Sequence, residues 1–586
     1  MNKRFGADCY GLLIPLRPPP VIWMKRERTF DDYFGFDAIV RKLARMRVSA
    51  ATTRNGDYLR WRLSMAAEAP ELLHPTPASD YLPPRRYWIR LRQELRVGLT
   101  AEQCNARAIV ATVRRARQDG LVNQSWGKRL MELVDEVSRR ISAGKQIVFA
   151  APVLHLMPKA GDRWTMRCLA SYADMADRLI LSCACDYMRD VFDGMLDDCC
   201  YAFRKTAAFS HQTAIEDLVR YRMSHRGARL YVAECDIQKF FDVIHHDVVL
   251  AAYDMFAQNA AQKPDPRMRS ILIAYLKSYT SSGNLAVCTD PHVVALRDRV
   301  KPVASTGVGA FYPGESVEKL PVGIPQGGAL SPIIANIVLD AVDRAVASGA
   351  NENLFYARFC DDMVIVHPKR KDCHAALERY VKALEMLRLP VHRIRKSVKA
   401  DADYYDHFKS KGPFLWHGGD GAPKSAIPWV SFLGVHVGYD GQVRIRKNTI
   451  ERHIAALEKE RSAFLRAVGR GGRSLRAGVE KNDAIRSFER RLASIGVGYS
   501  TINDPIGGAR CWMSAFPRIT RSSFALNQMR KMDSVRGKIV ASVKKHIGGE
   551  EQGGFLGRPY SYFGYLKNVE RHRRFPGDAR SYSEWT

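Results

Sequence analysis

Three aspartates are the residues of this sequence best suited to bind hard metal ions. Asp236 is the second-last residue of the β-rich run LYVAECDI at residues 230–237, and Asp361 and Asp362 lie between two further β-rich runs in FYARFCDDMVIVH, residues 355–367. Mg²⁺ prefers oxygen ligands and is usually held by a few carboxylates together with substrate phosphates. Carboxylates at two strand ends would form such a site if the strands are neighbours, whereas an Asp-Asp pair taken alone is more often a solvated turn.

The elements that must position these aspartates are short strands flanked by helices. Residues 355–367 predict a hairpin with its carboxylates at the tip, and VSFLGVHVGYDGQVRIRK predicts strand, turn and strand with the turn at residues 439–441. Helical spacing of apolar residues predicts two helices within residues 99–143 and a helical region from residue 448 onward. The first 75 or so residues are also mostly helical in pattern.

Composition and charge favour a globular protein with a polyanionic partner. Hydrophobic residues make up 46% of the chain, and 91 Lys and Arg against 61 Asp and Glu give a formal net charge of +30. Residues 441–586 hold 29 basic and 13 acidic residues, so about half of the surplus lies in the last quarter. Nucleic acid is the first expectation, because neutralised phosphates release counterions, and an anionic membrane surface is the weaker one. Without an apolar run of transmembrane length, we expect a soluble, cytoplasmic protein with no membrane partner.

The twelve cysteines argue against a zinc appendage. They are scattered, and none forms a Cys-X-X-Cys pair. We expect most of them to be small reduced core residues.

Five ordered segments resemble the successive motifs of reverse transcriptases, specifically the bacterial branch that contains the group II intron enzymes. The segments are residues 157–204, which resemble the fingers, residues 236–242 (DIQKFFD), residues 323–332 (GIPQGGALSP), residues 359–362 (FCDD) and residues 431–434 (SFLG), which resemble the primer grip. The resemblance covers roughly residues 145–450 and continues more weakly into a helical thumb.

The resemblance implies an α+β fold of right-hand polymerase architecture, with fingers, a palm built on an antiparallel sheet, and a helical thumb. The expected boundaries are a mainly helical N-terminal extension at 1–145, fingers at 146–229, palm at 230–447, and a basic helical thumb and C-terminal region at 448–586. An insertion at about 280–320 lengthens the palm and contacts a partner or template, or is a tolerated loop.

The same resemblance assigns the chemistry. Asp236, Asp361 and Asp362 match the catalytic aspartates, and together with Ile237 they form the expected set for two Mg²⁺ ions, with Mn²⁺ as an alternative. The ions would promote in-line attack of a primer 3′-hydroxyl on the α-phosphate of a dNTP.

Further residues match the family's substrate contacts. Phe241 matches the steric gate, whose ring would collide with a ribose 2′-hydroxyl, whereas Phe240 is more simply a core aromatic. Asp242 is expected to be a structural hydrogen-bonding residue and not a third ligand.

Five other positions complete the expected substrate site. Gln326 and Gly327 match the nucleotide and template contact, where glycine lets backbone approach a base pair. Lys159 and Arg167 lie where the family places cations on the triphosphate, with an ordinary surface role as the equal alternative. Lys396 lies near the family's late palm lysine, which is proposed to protonate pyrophosphate, although Arg393, Arg395 and Lys399 are close neighbours.

Other features are better explained by structure or depart from the family pattern. Residues 245–247 (HHD) and His211 match helix starts, so we favour structure over zinc there. The family's usual Tyr-Ala-Asp-Asp is Phe-Cys-Asp-Asp in residues 359–362. Phe359 keeps the aromatic ring and Cys360 is small enough to lie beneath a primer terminus.

The resemblance therefore implies an RNA-directed DNA polymerase that binds an RNA template, dNTPs and its DNA product. A dedicated non-coding RNA is one candidate template, and a protein partner or a homo-oligomer is left open. We expect a role in bacterial anti-phage defence. The alternatives are a group II intron maturase, an RNA-dependent RNA polymerase and an inactive RNA-binding scaffold.

Overall fold

The structure is a computed structural model of the 586-residue chain. The residues it describes are 28–53, 55–67, 77–96, 99, 101–159, 162–206, 208–281, 320–349, 352–396, 408–496, 519–548 and 561–567.

The described residues form a mixed α+β fold that is mostly helical. The helices are α1 (Phe30–Phe34), α2 (Phe36–Thr53), α3 (Asn55–Leu63), α4 (Ala101–Gln118), α5 (Ser125–Ser142), α6 (Met175–Phe192), α7 (His211–Ser224), α8 (Phe240–Val243), α9 (His246–Asn259), α10 (Pro266–Lys277), α11 (Ser331–Ala347), α12 (Arg370–Met386), α13 (Lys447–Val468), α14 (Lys481–Gly496), α15 (Ser523–Ile547) and α16 (Tyr562–Lys567). The strands are β1 (Val153–Lys159), β2 (Asp162–Ser171), β3 (Leu230–Asp236), β4 (Phe355–Phe359), β5 (Asp362–His367), β6 (Lys411–Trp416), β7 (Trp429–Phe432), β8 (Val435–Gly438) and β9 (Val443–Ile445).

Local sequence explains where several of these helices begin. Asp174 and Ser210 accept hydrogen bonds from backbone amides in the first turns of α6 and α7, and Asp265 caps α10 with proline at its first position. On α5 the predicted apolar stripe is buried, including Leu130 and Val137. The two helices predicted within residues 99–143 are thereby confirmed as α4 and α5.

A four-stranded antiparallel sheet organises the centre of the molecule. Its strand order is β4-β5-β3-β6, and β1-β2 and β7-β8-β9 form two smaller antiparallel sheets. The predicted hairpin is confirmed as β4 and β5, and the predicted turn at residues 439–441 lies between β8 and β9. Strand β3 contributes apolar side chains to both faces of the sheet, and both faces are covered by protein. Almost every residue of β3 is therefore buried.

The largest apolar core joins the N-terminal helices to the central sheet. It runs from Phe30 in α1 through Leu179 and Phe192 in α6 to Ile337 in α11 and Leu384 in α12. A second core lies under α7 and the β7-β8-β9 sheet, with Val232 and Trp416 at its centre. The central sheet is thus covered by apolar cores on both faces.

The C-terminal helices are joined to the N-terminal region by a segment that we call the clasp, residues 55–65. Leu63 is buried in one apolar core with Leu457, Phe464 and Phe488 of α13 and α14. The Met65 amide donates to the Ser474 carbonyl at 2.8 Å. Helix α2, which precedes the clasp, packs against α6. The clasp therefore links the C-terminal helices to the main core.

Two further observations concern membranes and cysteines. Within the described part of the chain, no helix combines the length and apolar character needed to cross a bilayer. Eight described cysteines are free thiols, and six of them are buried, which confirms for these positions the prediction of reduced core residues.

Candidate active site

The strand register brings the three predicted aspartates to one edge of the central sheet. Asp236, the last residue of β3, lies directly opposite Asp362, the first residue of β5. Asp361 lies in the β4–β5 turn beside them. Asp236 and Asp362, which are 126 residues apart in sequence, therefore become neighbours because β3 pairs with β5 in an antiparallel register.

The turn that carries Asp361 has an uncommon backbone conformation. Cys360 has a φ of 60°, in the left-handed region that a residue with a β-carbon seldom adopts. Its side chain is buried, and burial raises the pKa of its thiol, so Cys360 remains a neutral thiol. A non-glycine residue is held in this conformation only where the surrounding structure stabilises it.

The electrostatics of the three carboxylates show an excess of negative charge. Desolvation by surrounding protein, followed by repulsion from Asp361 and Asp236, raises the pKa of Asp362 to about 7. Desolvation and the charge of Asp236 also raise the pKa of Asp361. A cation bound at this edge would relieve that repulsion.

Lys409 lies at the site and was not predicted to do so. Its ammonium donates a hydrogen bond to Asp236 Oδ2, and the Asp236 amide donates to Ser410 Oγ at 3.0 Å. Two residues further along the same strand pair, Lys411 Nζ lies 2.6 Å from Glu234 Oε2. Two lysines that are two residues apart thus face two carboxylates that are also two residues apart. This spacing follows from the two-residue period of a strand. This match between KSK and ECD is the sequence signal that could have identified Lys409.

A fully buried ion pair lies behind the β4–β5 turn. Arg358 Nη2 is 2.6 Å from Asp343 Oδ2, and both side chains are 0% exposed. Arg358 Nη1 also donates to the Cys360 carbonyl at 3.1 Å, and Tyr356 donates its hydroxyl hydrogen to Asp343 at 2.8 Å. Burial alone would lower the pKa of Arg358, but the Asp343 carboxylate raises it well above its ordinary value. Arg358 therefore keeps its positive charge at any ordinary pH.

The residues of the expected nucleotide pocket form one connected unit. Phe240 is buried, as predicted, and half-buried Phe241 packs edge-on against it with ring centroids 5.2 Å apart. The Phe241 carbonyl accepts from the Ile324 amide at 2.8 Å. Gln326 Nε2 donates to Asp242 at 3.0 Å, so Asp242 is the hydrogen-bonding residue that was predicted.

Gln326 also ties this unit to the β1-β2 sheet. Its carbonyl accepts from the Ala170 amide of β2 at 2.8 Å. The next residue, Gly327, has a φ of 90°, a conformation that glycine adopts without steric cost. Glycine is thus required by the backbone at the position where the sequence predicted a close approach.

The structure describes the three predicted cationic residues to different extents. Lys159 ends β1 and Arg167 lies in β2 opposite Met157, while their side chains lie outside the described part of the structure. Lys396 is exposed, and of the described lysines it is Lys409 that contacts Asp236, whose Oδ2 also lies 3.6 Å from His392 Nε2. The predicted insertion falls almost wholly outside the described residues, which stop at 281 and resume at 320.

The two histidines predicted to begin helices, His246 and His211, act as structural residues. His246 begins α9, and its Nε2 lies 2.8 Å from the Gly323 carbonyl, which fastens the GIPQGG loop. Burial lowers the pKa of His246, so it is neutral at physiological pH. His211 begins α7. Both predicted helix starts are confirmed.

The donor set at the sheet edge fits a hard divalent cation in chemical type. All three side chains supply carboxylate oxygens, and Ile237, whose side chain is buried and apolar, offers only its backbone carbonyl. In the orientation described, however, no group of three or more His, Cys, Asp or Glu side chains among the described residues is arranged to hold a metal ion. Asp236 is paired with Lys409 instead.

Comparison with solved structures gives weak similarities to telomerases. Apo telomerase from Candida tropicalis is 10% identical over 95% of this chain and 89% of that chain, with a TM-score of 0.32. A form truncated from its C-terminal domain is 11% identical, with a TM-score of 0.31, over 51% of this chain and only 55% of that chain, about half its length. Telomerase from Candida albicans in complex with a fragment of telomeric RNA is 14% identical over 79% and 68%, with a TM-score of 0.30. At such TM-scores these similarities support no argument.

Comparison with protein families is more specific. No curated protein sequence matches the chain. Residues 158–403 match the family model described as reverse transcriptase (RNA-dependent DNA polymerase). That span contains β3, the GIPQGG loop and the β4–β5 hairpin, so it includes all three aspartates at the sheet edge. The chain therefore carries a reverse transcriptase domain, the domain of RNA-directed DNA polymerases, over residues 158–403.

Proposed function

We propose that the chain extends a primer with dNTPs on an RNA template, with Asp236, Asp361 and Asp362 as its catalytic residues. The observation that supports this most directly is the register that sets Asp236 opposite Asp362 beside a turn carrying Asp361, inside the span that matches the family. Mg²⁺ bound there would supply a Lewis acid for the attacking hydroxyl and for the leaving phosphate. The group II intron-like branch is our proposal for its place in the family, because all five motifs occur in order.

Each part of the site has a distinct task in this proposal. The three carboxylates hold the divalent ions, and the backbone carbonyl of Ile237 completes the ligand set. Phe241 lines the sugar position and excludes a 2′-hydroxyl, while Gln326 and Gly327 support the nascent base pair. Lys159 and Arg167 bind the triphosphate, and Lys396 supplies a proton to the departing pyrophosphate.

The direct test is primer extension on an RNA template by purified Asp361→Asn. We expect the rate of synthesis to fall at least about 100-fold, which is the usual loss when one group that stabilises the transition state is removed. The melting temperature should change little. Asp420→Asn, a change at an exposed loop aspartate, is the matched control and should retain full activity. Extension by Asp361→Asn at the wild-type rate would show that the site is assigned wrongly.

A comparison of dNTP with rNTP incorporation distinguishes this proposal from an RNA-dependent RNA polymerase. We expect dNTP incorporation to exceed rNTP incorporation in the wild type, and Phe241→Ala to raise rNTP use selectively. Equal use of both nucleotides by the wild type would favour an RNA-dependent RNA polymerase. A chain that binds RNA but extends nothing with any divalent metal would be the scaffold alternative.

We also propose the domain division given above, with fingers, palm and thumb at 146–229, 230–447 and 448–586, and a role in anti-phage defence. The support for the biological role is the motif resemblance of residues 157–434 to this bacterial branch. Phage plating on cells that express the wild type or Asp361→Asn tests it. Equal plating efficiency across a broad phage panel would remove this role, and splicing of a cognate intron RNA would favour the maturase alternative.

A further inference from the structure

We propose that the buried Arg358–Asp343 pair is a positioning device that sets the carboxylate of Asp361 for metal binding. The proposal rests on the proposed function above, because it assigns a role within that same site. Neither residue lies at the sheet edge itself, and both act through the backbone of the β4–β5 turn.

The guanidinium of Arg358 is the fixed point of this device. Its Nε lies 2.8 and 3.0 Å from the two oxygens of Asp343, and its Nη2 lies 2.6 Å from one of them. Asp343 belongs to α11, a helix with most of its residues buried in the main core. A planar fork held by two oxygens on a packed helix has little freedom to move.

The backbone of Arg358 is fixed as well. Its amide donates to the Cys199 carbonyl at 2.8 Å, and its carbonyl accepts from the Tyr201 amide at 2.9 Å. These bonds attach β4 to the segment just before α7, on the side away from β5. Strand β4 therefore has partners on both edges at the level of Arg358.

From this fixed point Nη1 reaches forward to the carbonyl of Cys360, two residues along the chain. Cys360 is the residue with the left-handed backbone, and its carbonyl is part of the peptide bond that leads into Asp361. A charge-assisted bond to that carbonyl fixes the peptide plane, and so the direction in which the Asp361 side chain leaves the turn. The local energy cost of the Cys360 conformation is offset by a contact that only a forked cation on a rigid base can supply.

Two sets of variants separate positioning from folding. Arg358→Lys keeps a cation for Asp343, but a single ammonium cannot serve Asp343 and the Cys360 carbonyl with the same geometry. The triple variant Arg358→Met, Asp343→Leu and Tyr356→Phe replaces every polar side chain of the network, which avoids a lone buried charge. Asp177→Asn is the control, because Asp177 is another buried aspartate, paired with Arg140 at 2.6 Å, in α6.

The measurements are melting temperature, Mn²⁺ binding followed by electron paramagnetic resonance in the presence of a dNTP, and the Mg²⁺ concentration for half-maximal primer extension. For Arg358→Lys and the triple variant we expect Mn²⁺ affinity to fall about tenfold and the half-maximal Mg²⁺ concentration to rise correspondingly. We expect kcat to fall while the KM for dNTP changes less than twofold, and Asp177→Asn to match the wild type in metal binding.

Wild-type metal binding in a folded Arg358→Lys or triple variant would overturn the inference. A lower melting temperature with unchanged Mn²⁺ affinity would overturn it too, because the pair would then be structural only. Failure of the proposed function gives a different result: the wild type would extend no primer, and Asp361→Asn would not differ from it.

Discussion

The sheet edge with its three aspartates and the clasp of residues 55–65 hold the molecule together by different means. At the sheet edge, strand pairing sets Asp236 against Lys409 and Glu234 against Lys411, while helix α11 supplies Asp343 as the partner of Arg358. At the clasp, Leu63 packs into an apolar core and backbone groups bond across the junction, such as the Arg476 amide to the Leu63 carbonyl at 3.0 Å. The sheet edge determines the orientation and the charge of the carboxylates, whereas the clasp attaches the C-terminal helices to the main core.

This difference predicts separable phenotypes. Changes at the sheet edge should alter the dependence on divalent metal, because the carboxylates and their partners set the local charge. Changes at the clasp and the C-terminal helices should alter stability and the length of the product, because these regions hold the helices that we propose as the thumb, which would contact the primer–template duplex. The four variants below test that separation, in descending order of expected effect.

Phe488→Ala should have the largest effect on stability. Phe488 is fully buried in the core that contains the clasp, and it stacks on Phe464 with ring centroids 4.5 Å apart. Truncating a buried phenylalanine costs about 3–5 kcal/mol, so we expect a marked fall in the denaturant midpoint and short extension products. Phe524→Ala, at a half-exposed position in α15, should cost less than about 1 kcal/mol. A change in the half-maximal Mg²⁺ concentration for the folded fraction of Phe488→Ala would break the separation.

Asp362→Asn should stabilise the metal-free protein at pH 8 and leave its stability unchanged at pH 3. The pKa of Asp362 is raised to about 7 in the folded state, above the value of about 3.9 in an unfolded chain. Below pH 3.9 both states hold the proton. Between those two pKa values only the folded state keeps it, so stability falls as pH rises, and the loss is complete above pH 7.

The asparagine of Asp362→Asn does not ionise, so this variant should not lose stability as the pH rises. After allowance for the solvent exposure of Asp362, we expect a gain of about 1–2 kcal/mol at pH 8 in chelator, measured by urea unfolding. Asp420→Asn, at an exposed loop position, is the control for the loss of one carboxylate. A gain of equal size at pH 3 and pH 8 would mean that repulsion among the carboxylates is not its cause.

Arg60→Met tests the polar part of the clasp. Arg60 Nη1 lies 2.9 Å from Glu460, with 17% and 14% of the two side chains exposed. Arg491 also faces Glu460, at 3.6 Å, so the carboxylate keeps a partner and we expect a cost of only about 1 kcal/mol. Products should become shorter with no change in Mg²⁺ dependence, and Arg115→Met, in an exposed pair with Asp119, should change neither. Full-length products from Arg60→Met would mean that the clasp does not influence the grip on the duplex.

Sequence alone could predict the parts of the site that depend on strand periodicity. Asp236 and the Asp361–Asp362 pair each end or begin a β-rich run, so their meeting follows once β3 and β5 are neighbours. The secondary structure of α4, α5 and the β4–β5 hairpin followed from local apolar spacing in the same way.

Contacts that depend on tertiary packing could not be predicted. Arg60 and Glu460 are 400 residues apart, and nothing in either local sequence points to the other. Arg358 was missed because an arginine in a strand is expected at the surface, and only the helix behind the sheet supplies the carboxylate that permits its burial. Lys409 was missed in favour of Lys396, since the register of β6 on β3, and not the distance along the chain, decides which lysine reaches Asp236.

Lys409→Met should have the smallest effect, on metal binding alone. The Lys409 ammonium occupies Asp236 Oδ2, an oxygen that the proposed metal site needs, so it competes with the cation for that atom. Because 58% of the Lys409 side chain is exposed, the pair contributes no more than about 1 kcal/mol, and its removal should lower the half-maximal Mg²⁺ concentration two- to fivefold. Lys424→Met, at an exposed position in the loop after β6, controls for the loss of one positive charge. A rise in the half-maximal Mg²⁺ concentration, together with a higher KM for dNTP, would contradict simple competition and show instead that Lys409 contacts the nucleotide during synthesis. Either result distinguishes a lysine that competes with the metal ion for the Asp236 carboxylate from a lysine that acts on the substrate.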